Sequence, residues 1–119
     1  GYKQRLNETL YICEGLSDTI CVYDLGFMAI GKPCVTCGDS IIIDWINNTY
    51  KSAPPIIIIP DNDKVGLNSA IKLMEKLSLK ITLENSYSTI LFKFTGAKDI
   101  RKYISNVGKE RVRDELSRI

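Results

Sequence analysis

Histidine is absent from all 119 residues, so a metal centre here would rest on oxygen donors or on the cysteines Cys13, Cys21, Cys34 and Cys37. A long hydrophobic run is missing too: no wholly apolar stretch approaches the roughly 20 residues that cross a bilayer, so no membrane partner is expected. Charge of one sign is not in excess either. With 16 basic and 14 acidic side chains the formal charge is +2, too little to announce a nucleic-acid or membrane partner by itself. No leader peptide, internal repeat, linker or low-complexity tract is recognisable, and cysteines without a leader point to a reducing, cytoplasmic setting.

What is present suits one soluble globular domain, with 45% hydrophobic and 25% charged residues. The chain opens on "GYKQRL" without an initiator methionine and closes in a helix-like charged pattern, which suggests a domain cut from a longer protein. "TLYIC" (9–13) reads as a buried strand. "SDTICVYDLGF" reads as a helix with Ser17 as N-cap, Ile20, Tyr23 and Phe27 on its apolar side, and an end near Gly26. "MAIGKPCVTC" is a second strand running into a loop at "TCGDS", after which Asp39 or Ser40 caps a helix whose apolar face holds Ile42, Ile43, Trp45 and Ile46. "PPIIIIP" (54–60) is apolar without alternation, as a parallel strand covered on both faces should be. "NSAIKLMEKLS" is helical, with Ile71, Leu73, Met74 and Leu77 in register, and "LKITLE" follows as a fourth strand. "STILFKF" is a possible further strand, and the remaining segment is helical with Ile100, Tyr103, Ile104 and Val107 on one stripe. Alternation of strand and helix argues for a parallel α/β sheet.

In such a sheet the ligand site lies beyond the C-terminal strand ends. Glu14 ends the first strand, with Asp18 a turn later; Asp61 and Asp63 end the third; Asp99 follows the last. Carboxylates gathered at one edge repel one another unless a cation shares them, and oxygen donors favour a hard ion, Mg²⁺ or Mn²⁺. Taken singly, "PDND" is also an ordinary turn sequence, and acidic residues after strands often cap helices. Gly15 and Gly66 flank the acidic loops and would let backbone approach a phosphate, although both also suit simple turns.

"LYICEGLSDTICVYDLG" and "IIIIPDNDKVGLNSAIKLMEKL" together resemble the Toprim domain, the metal-binding fold of bacterial-type primases, phage primase-helicases, topoisomerases and some nucleases. Its pattern is a glutamate after the first strand and Asp-x-Asp after the third. "EGLSD", "DNDKVG" and "GAKDIRKYISNVGKERVRDEL" resemble the primase forms of its motifs. The resemblance implies a single Toprim (Rossmann-like) domain over 1–119, with a mostly parallel sheet of four to five strands, helices on both faces and a helical tail over 96–119. It also implies catalytic roles for Glu14, Asp61 and Asp63. The same three residues would bind Mg²⁺ or Mn²⁺, with Asp99 as a weaker ligand. Gly15, Asp18, Lys64, Gly66 and Gly38 would contact nucleotide or phosphate.

The implied activity is RNA primer synthesis on single-stranded DNA from nucleoside triphosphates. A fused or separate replicative helicase is the implied partner, the isolated domain is expected to be a monomer, and the setting is the cytoplasm of a bacterial or phage-infected cell. A Toprim nuclease and a degenerate, non-catalytic module in a helicase are the alternatives; Arg101, where the family carries a second acidic or amide group, keeps the latter open. A receiver domain fits poorly, because receivers carry an acidic pair after the first strand where this chain has Glu14 and Gly15.

Two weaker signals remain. "CVTC" (34–37) has no second pair with matching spacing, so its cysteines read as small apolar fillers rather than a zinc or redox site. The late basic residues Lys93, Lys98, Arg101, Lys102, Lys109, Arg111, Arg113 and Arg118 could follow a nucleic-acid backbone. Interleaved with Glu110, Asp114 and Glu115, they suit solvated ion pairs better.

Overall fold

The computed structural model describes residues 9–32, 38–83 and 88–119. It is an α/β structure built on a four-stranded, wholly parallel sheet in the order β2-β1-β3-β4. The strands are β1 (Leu10–Cys13), β2 (Met28–Gly31), β3 (Ile56–Ile59) and β4 (Thr89–Leu91). Between and after them run α1 (Leu16–Asp24), α2 (Asp39–Thr49), α3 (Lys64–Lys80), α4 (Ile100–Val107) and α5 (Lys109–Ser117).

The unbroken apolar character of β1 and β3 has a direct cause, since both strands are central and bury both faces. Successive strand side chains point to opposite sides. Ile56 and Ile58 therefore join Leu10 and Ile12 under α2 and α3, against Ile42, Ile46, Leu73 and Leu77. Ile57 and Ile59 join Tyr11 and Cys13 on the other side, against Val22 of α1 and the α4 and α5 residues Ile100, Ile104, Val112 and Leu116. Each isoleucine of β3 is at most 3% exposed, so each contributes about 1.5–3 kcal/mol of transfer free energy.

Several expectations are corrected. "LKITLE" is not the fourth strand: α3 continues to Lys80, Ile81 still donates its N–H to the Leu77 carbonyl, and no strand covers 81–83. Asn47 holds that exit against α2, donating to the Lys80 carbonyl at 3.1 Å and accepting from the Thr82 N–H at 3.0 Å. The free edge of β3 is taken by Thr89–Leu91 from "STILFKF". Gly15, not Ser17, is the N-cap of α1. Ile20 and Tyr23 lie on the outer side of α1, 57% and 55% exposed, because Asp18, Val22 and Leu25 form its inner side. Ile71 is also exposed, and Trp45 is only partly buried, edge-on to Tyr50 with ring centroids 5.8 Å apart. Gly38, at φ 86°, precedes α2 as N-cap, which places Asp39 inside the first turn. The helical tail is two helices, broken at Gly108, whose φ of 96° favours glycine. None of the helices among the described residues is long and apolar enough to cross a membrane. Cys34 and Cys37 lie outside the described residues, while Cys13 and Cys21 are free thiols.

Candidate metal centre

β1 and β3 are neighbours in register, with Cys13 opposite Ile59, so the residues that leave their C-terminal ends emerge side by side. Glu14 follows Cys13; Asp61 follows Ile59 by one proline. Asp63 caps α3, its Oδ1 accepting the Gly66 N–H at 2.6 Å. Gly66 lies in the angle among them: a Cβ built there would stand 2.8 Å from Glu14 Oε1, 2.8 Å from the Asp61 carbonyl oxygen and 3.0 Å from Asp63 Oδ1. Only glycine fits so close an approach.

The electrostatics follow from that crowding. Burial, then the Glu14 charge and a hydrogen bond shared with Glu14, push Asp61 up to about 6, with Asp99 and Asp63 adding to the field. Glu14 is raised as well, chiefly by burial. Asp18, only 8% exposed, is pushed up to about 6 by burial and by Asp61 and Asp99, although it also accepts the Arg101 backbone N–H. The cluster is therefore under-compensated. Glu14 Oε1 is buried with no hydrogen-bond partner among the described residues. Such an orphaned anionic oxygen, in a set of oxygen donors, is the chemistry a hard divalent cation satisfies. As the side chains lie, no three His, Cys, Asp or Glu among the described residues are grouped to hold an ion. Their carboxyl groups bond to one another and to helix N-termini instead.

The structure thus brings Glu14, Asp18, Asp61, Asp63 and Asp99 into one field. Both Asp63 and Asp99 also do the capping work of ordinary strand-to-helix turns, Asp99 accepting from the Lys102 N–H at 2.8 Å. Gly15 has extended backbone, and a Cβ there would meet only Asp18 Oδ2 at 3.7 Å, so the chain itself does not require glycine at that position. Lys64 is the exposed first residue of α3, and Gly38 serves the start of α2. Four of the late basic residues are engaged within the described fold. Lys109 pairs with Asp24, Arg111 with Glu115 and Arg118 with Asp114, and Arg113 donates to the Leu25 carbonyl.

Two residues that sequence reasoning missed shape the site. Lys32, at the end of β2, is 6% exposed, pairs with Asp39 at 2.9 Å and donates to Ser69 Oγ at 2.5 Å. It is a buried cation whose field reaches Glu14. Burial pushes Asp39 up, but Lys32 and Lys76, the latter at 3.1 Å, outweigh it and hold Asp39 below the ordinary carboxylate range. Asn62, between the two aspartates, ties the acidic loop to the loop before α4, donating its side-chain amide to the Ala97 carbonyl at 3.0 Å. A lysine next to a proline and an asparagine in a turn carry no sequence signal for either role.

No family model matches the chain, and no match is found among curated proteins or among solved structures.

Proposed function

We propose that the chain is the metal-binding catalytic domain of a primase-type Toprim protein, acting in RNA primer synthesis on single-stranded DNA. The observation that carries the reading is the convergence of Glu14 from β1 with Asp61 and Asp63 from β3 around the Gly66 backbone. Acidic groups after the first and third strands, on adjacent parallel strands, are what the sequence resemblance implies. Glu14, Asp61 and Asp63 would hold Mg²⁺ or Mn²⁺, with Asp99 contributing more weakly. The bound ion would neutralise phosphate oxygens, the main electrostatic demand of phosphoryl transfer.

The chain's own groups supply the rest. Glu14, raised by burial, is the carboxyl placed to take the proton of an attacking hydroxyl. Lys64, exposed beside the acidic loop, offers an ammonium to a phosphate. The partners under this reading are the template strand, nucleoside triphosphates and a replicative helicase, in a cytoplasmic setting.

The test is to incubate the full-length protein with single-stranded template and ribonucleotides in Mg²⁺ or Mn²⁺. Short RNA products that disappear in a D61N/D63N variant support the reading; cleavage of the template instead supports the Toprim nuclease. A second reading, a non-catalytic nucleic-acid-binding module, is favoured by the capping duty of Asp63 and Asp99 and by Arg101 in the late motif. Strand unwinding without primer synthesis under any metal would support it.

A further inference from the structure

Glu14 has a second side, turned inward from the aspartates. β1 and β2 run in register with Cys13 opposite Gly31, and the Lys32 N–H donates to the Cys13 carbonyl at 2.8 Å. The pairing thus carries on past both strands and sets Glu14 level with Lys32. Two residues earlier on each strand, Ile12 and Ile30 lie on the side covered by α2 and α3. Alternation returns Glu14 and Lys32 to that side. There they line a cavity of about 10 Å³ together with Ser69 and Ala70 of α3, over an apolar base that includes Ile12 and Leu73.

The polar groups around this cavity are unevenly served. Lys32 holds Asp39 at 2.9 Å and donates to Ser69 Oγ. Glu14 Oε1 is buried with no hydrogen-bond partner among the described residues, so the bond that Glu14 shares with Asp61 runs through its other oxygen, Oε2. A buried carboxylate oxygen left unmatched is costly. One water needs roughly 10–15 Å³ and two to four polar partners, which this cavity offers once and not twice. Glu14 accepts, while Lys32 and Ser69 carry donor hydrogens. We infer that the cavity seats a single ordered water, which donates to Glu14 Oε1, is held on its far side by Lys32 and Ser69, and positions Glu14 for the cation. With Oε1 held from inside, the carboxylate cannot turn, and Oε2 stays beside Asp61. That consequence rests on the proposed metal centre; the water seat itself does not.

The test joins a high-resolution crystal structure of the full wild-type chain to water magnetic relaxation dispersion, melting and Mn²⁺ titration of wild type and Ala70→Val. The added methyl groups of A70V enter the cavity and leave Lys32, Asp39, Ser69 and every carboxylate in place. The wild-type crystal should show a water within hydrogen-bond distance of Glu14 Oε1 and of Lys32 Nζ or Ser69 Oγ. A70V should lose one long-lived water in the dispersion profile. It should also melt below wild type, because filling expels a bonded water, whereas filling a dry void raises the melting temperature. Its Mn²⁺ affinity should fall about tenfold, the lower end of the range for losing a group that orients a metal ligand. A wild-type cavity without water, equal dispersion profiles and a higher-melting A70V would overturn the inference, and the wild-type crystal decides alone if A70V does not fold. A water that A70V expels without change in Mn²⁺ affinity would overturn the positioning role. A wild-type chain that holds the water and binds no Mn²⁺ would overturn the metal centre and leave the water seat standing.

Discussion

The backbone N–H of Asn62 donates to the carbonyl of Lys98 at 2.6 Å, so the loop that carries Asp61 and Asp63 is fastened to the loop that leads into Asp99. The Asn62 side chain adds a second bond, to Ala97. Asn62 thus ties the two acidic loops to each other through both its backbone and its side chain. Asn62→Ala, which removes only the side-chain bond, should cost about 0.5–1 kcal/mol in urea denaturation, the lower part of the range for a hydrogen bond because this one is exposed. The same variant should weaken Mn²⁺ binding by loosening Asp61 and Asp63.

Gly66 offers a test in which propensity and packing have opposite signs. Within a helix, alanine is normally favoured over glycine by about 1 kcal/mol. Here the added Cβ would lie 2.8 Å from both the Asp61 carbonyl and Glu14 Oε1, so Gly66→Ala should destabilise the chain by about 1–3 kcal/mol. Thermal melts of wild type and variant check the sign.

How much of this was legible beforehand differs from element to element. β3 was legible because four consecutive isoleucines can only be accommodated where both faces are covered, and Glu14, Asp61 and Asp63 followed from where β1 and β3 must end. The fourth strand was not. "LKITLE" has the composition of a strand, yet α3 keeps its hydrogen bonding through Lys80, and edge pairing with β3 went to Thr89–Leu91. Ile20 and Tyr23 misled for a related reason. Their spacing is helical, but the inner side of α1 is fixed by Val22 and Leu25 against the sheet, together with the polar Asp18. Lys32 could not be found from sequence, because only the tertiary placement of α2 and α3 beside the end of β2 brings Asp39 and Ser69 to its ammonium.

Asp18 should make stability depend on pH. Its folded-state pKa is pushed up to about 6, above the ordinary 3.8, so the folded chain holds this proton more tightly than the unfolded one. The sign follows: stability is highest while Asp18 is protonated, and it falls as pH rises through the interval from about 4 to about 6. Asp18→Asn should therefore stabilise by on the order of 1–2 kcal/mol at pH 7.5 and by little at pH 4. Denaturation midpoints at the two pH values supply the comparison. Equal gains at both would separate the effect from ionisation.

The Lys32–Asp39 pair gives a prediction away from the acidic cluster. Removing one partner of a buried ion pair leaves the other's charge uncompensated, so Lys32→Met should cost about 3 kcal/mol, softened by the remaining Lys76 contact. The double variant K32M/D39N should recover part of that loss, since the stranded charge goes with it. Equal destabilisation in the single and double variants would mean that packing around Lys32, rather than its charge, is what matters.

Whether Glu14, Asp61 and Asp63 hold a cation together separates a catalytic acidic cluster from a purely structural one. The decisive measurement is Mn²⁺ titration of the chain at pH 7.5, followed by electron paramagnetic resonance of the free ion, for wild type and an Asp61→Ala, Asp63→Ala double variant. A saturable Mn²⁺ site that disappears in the double variant is the expected result. A wild-type chain that binds no Mn²⁺, or a double variant that binds it as well as wild type does, would contradict it.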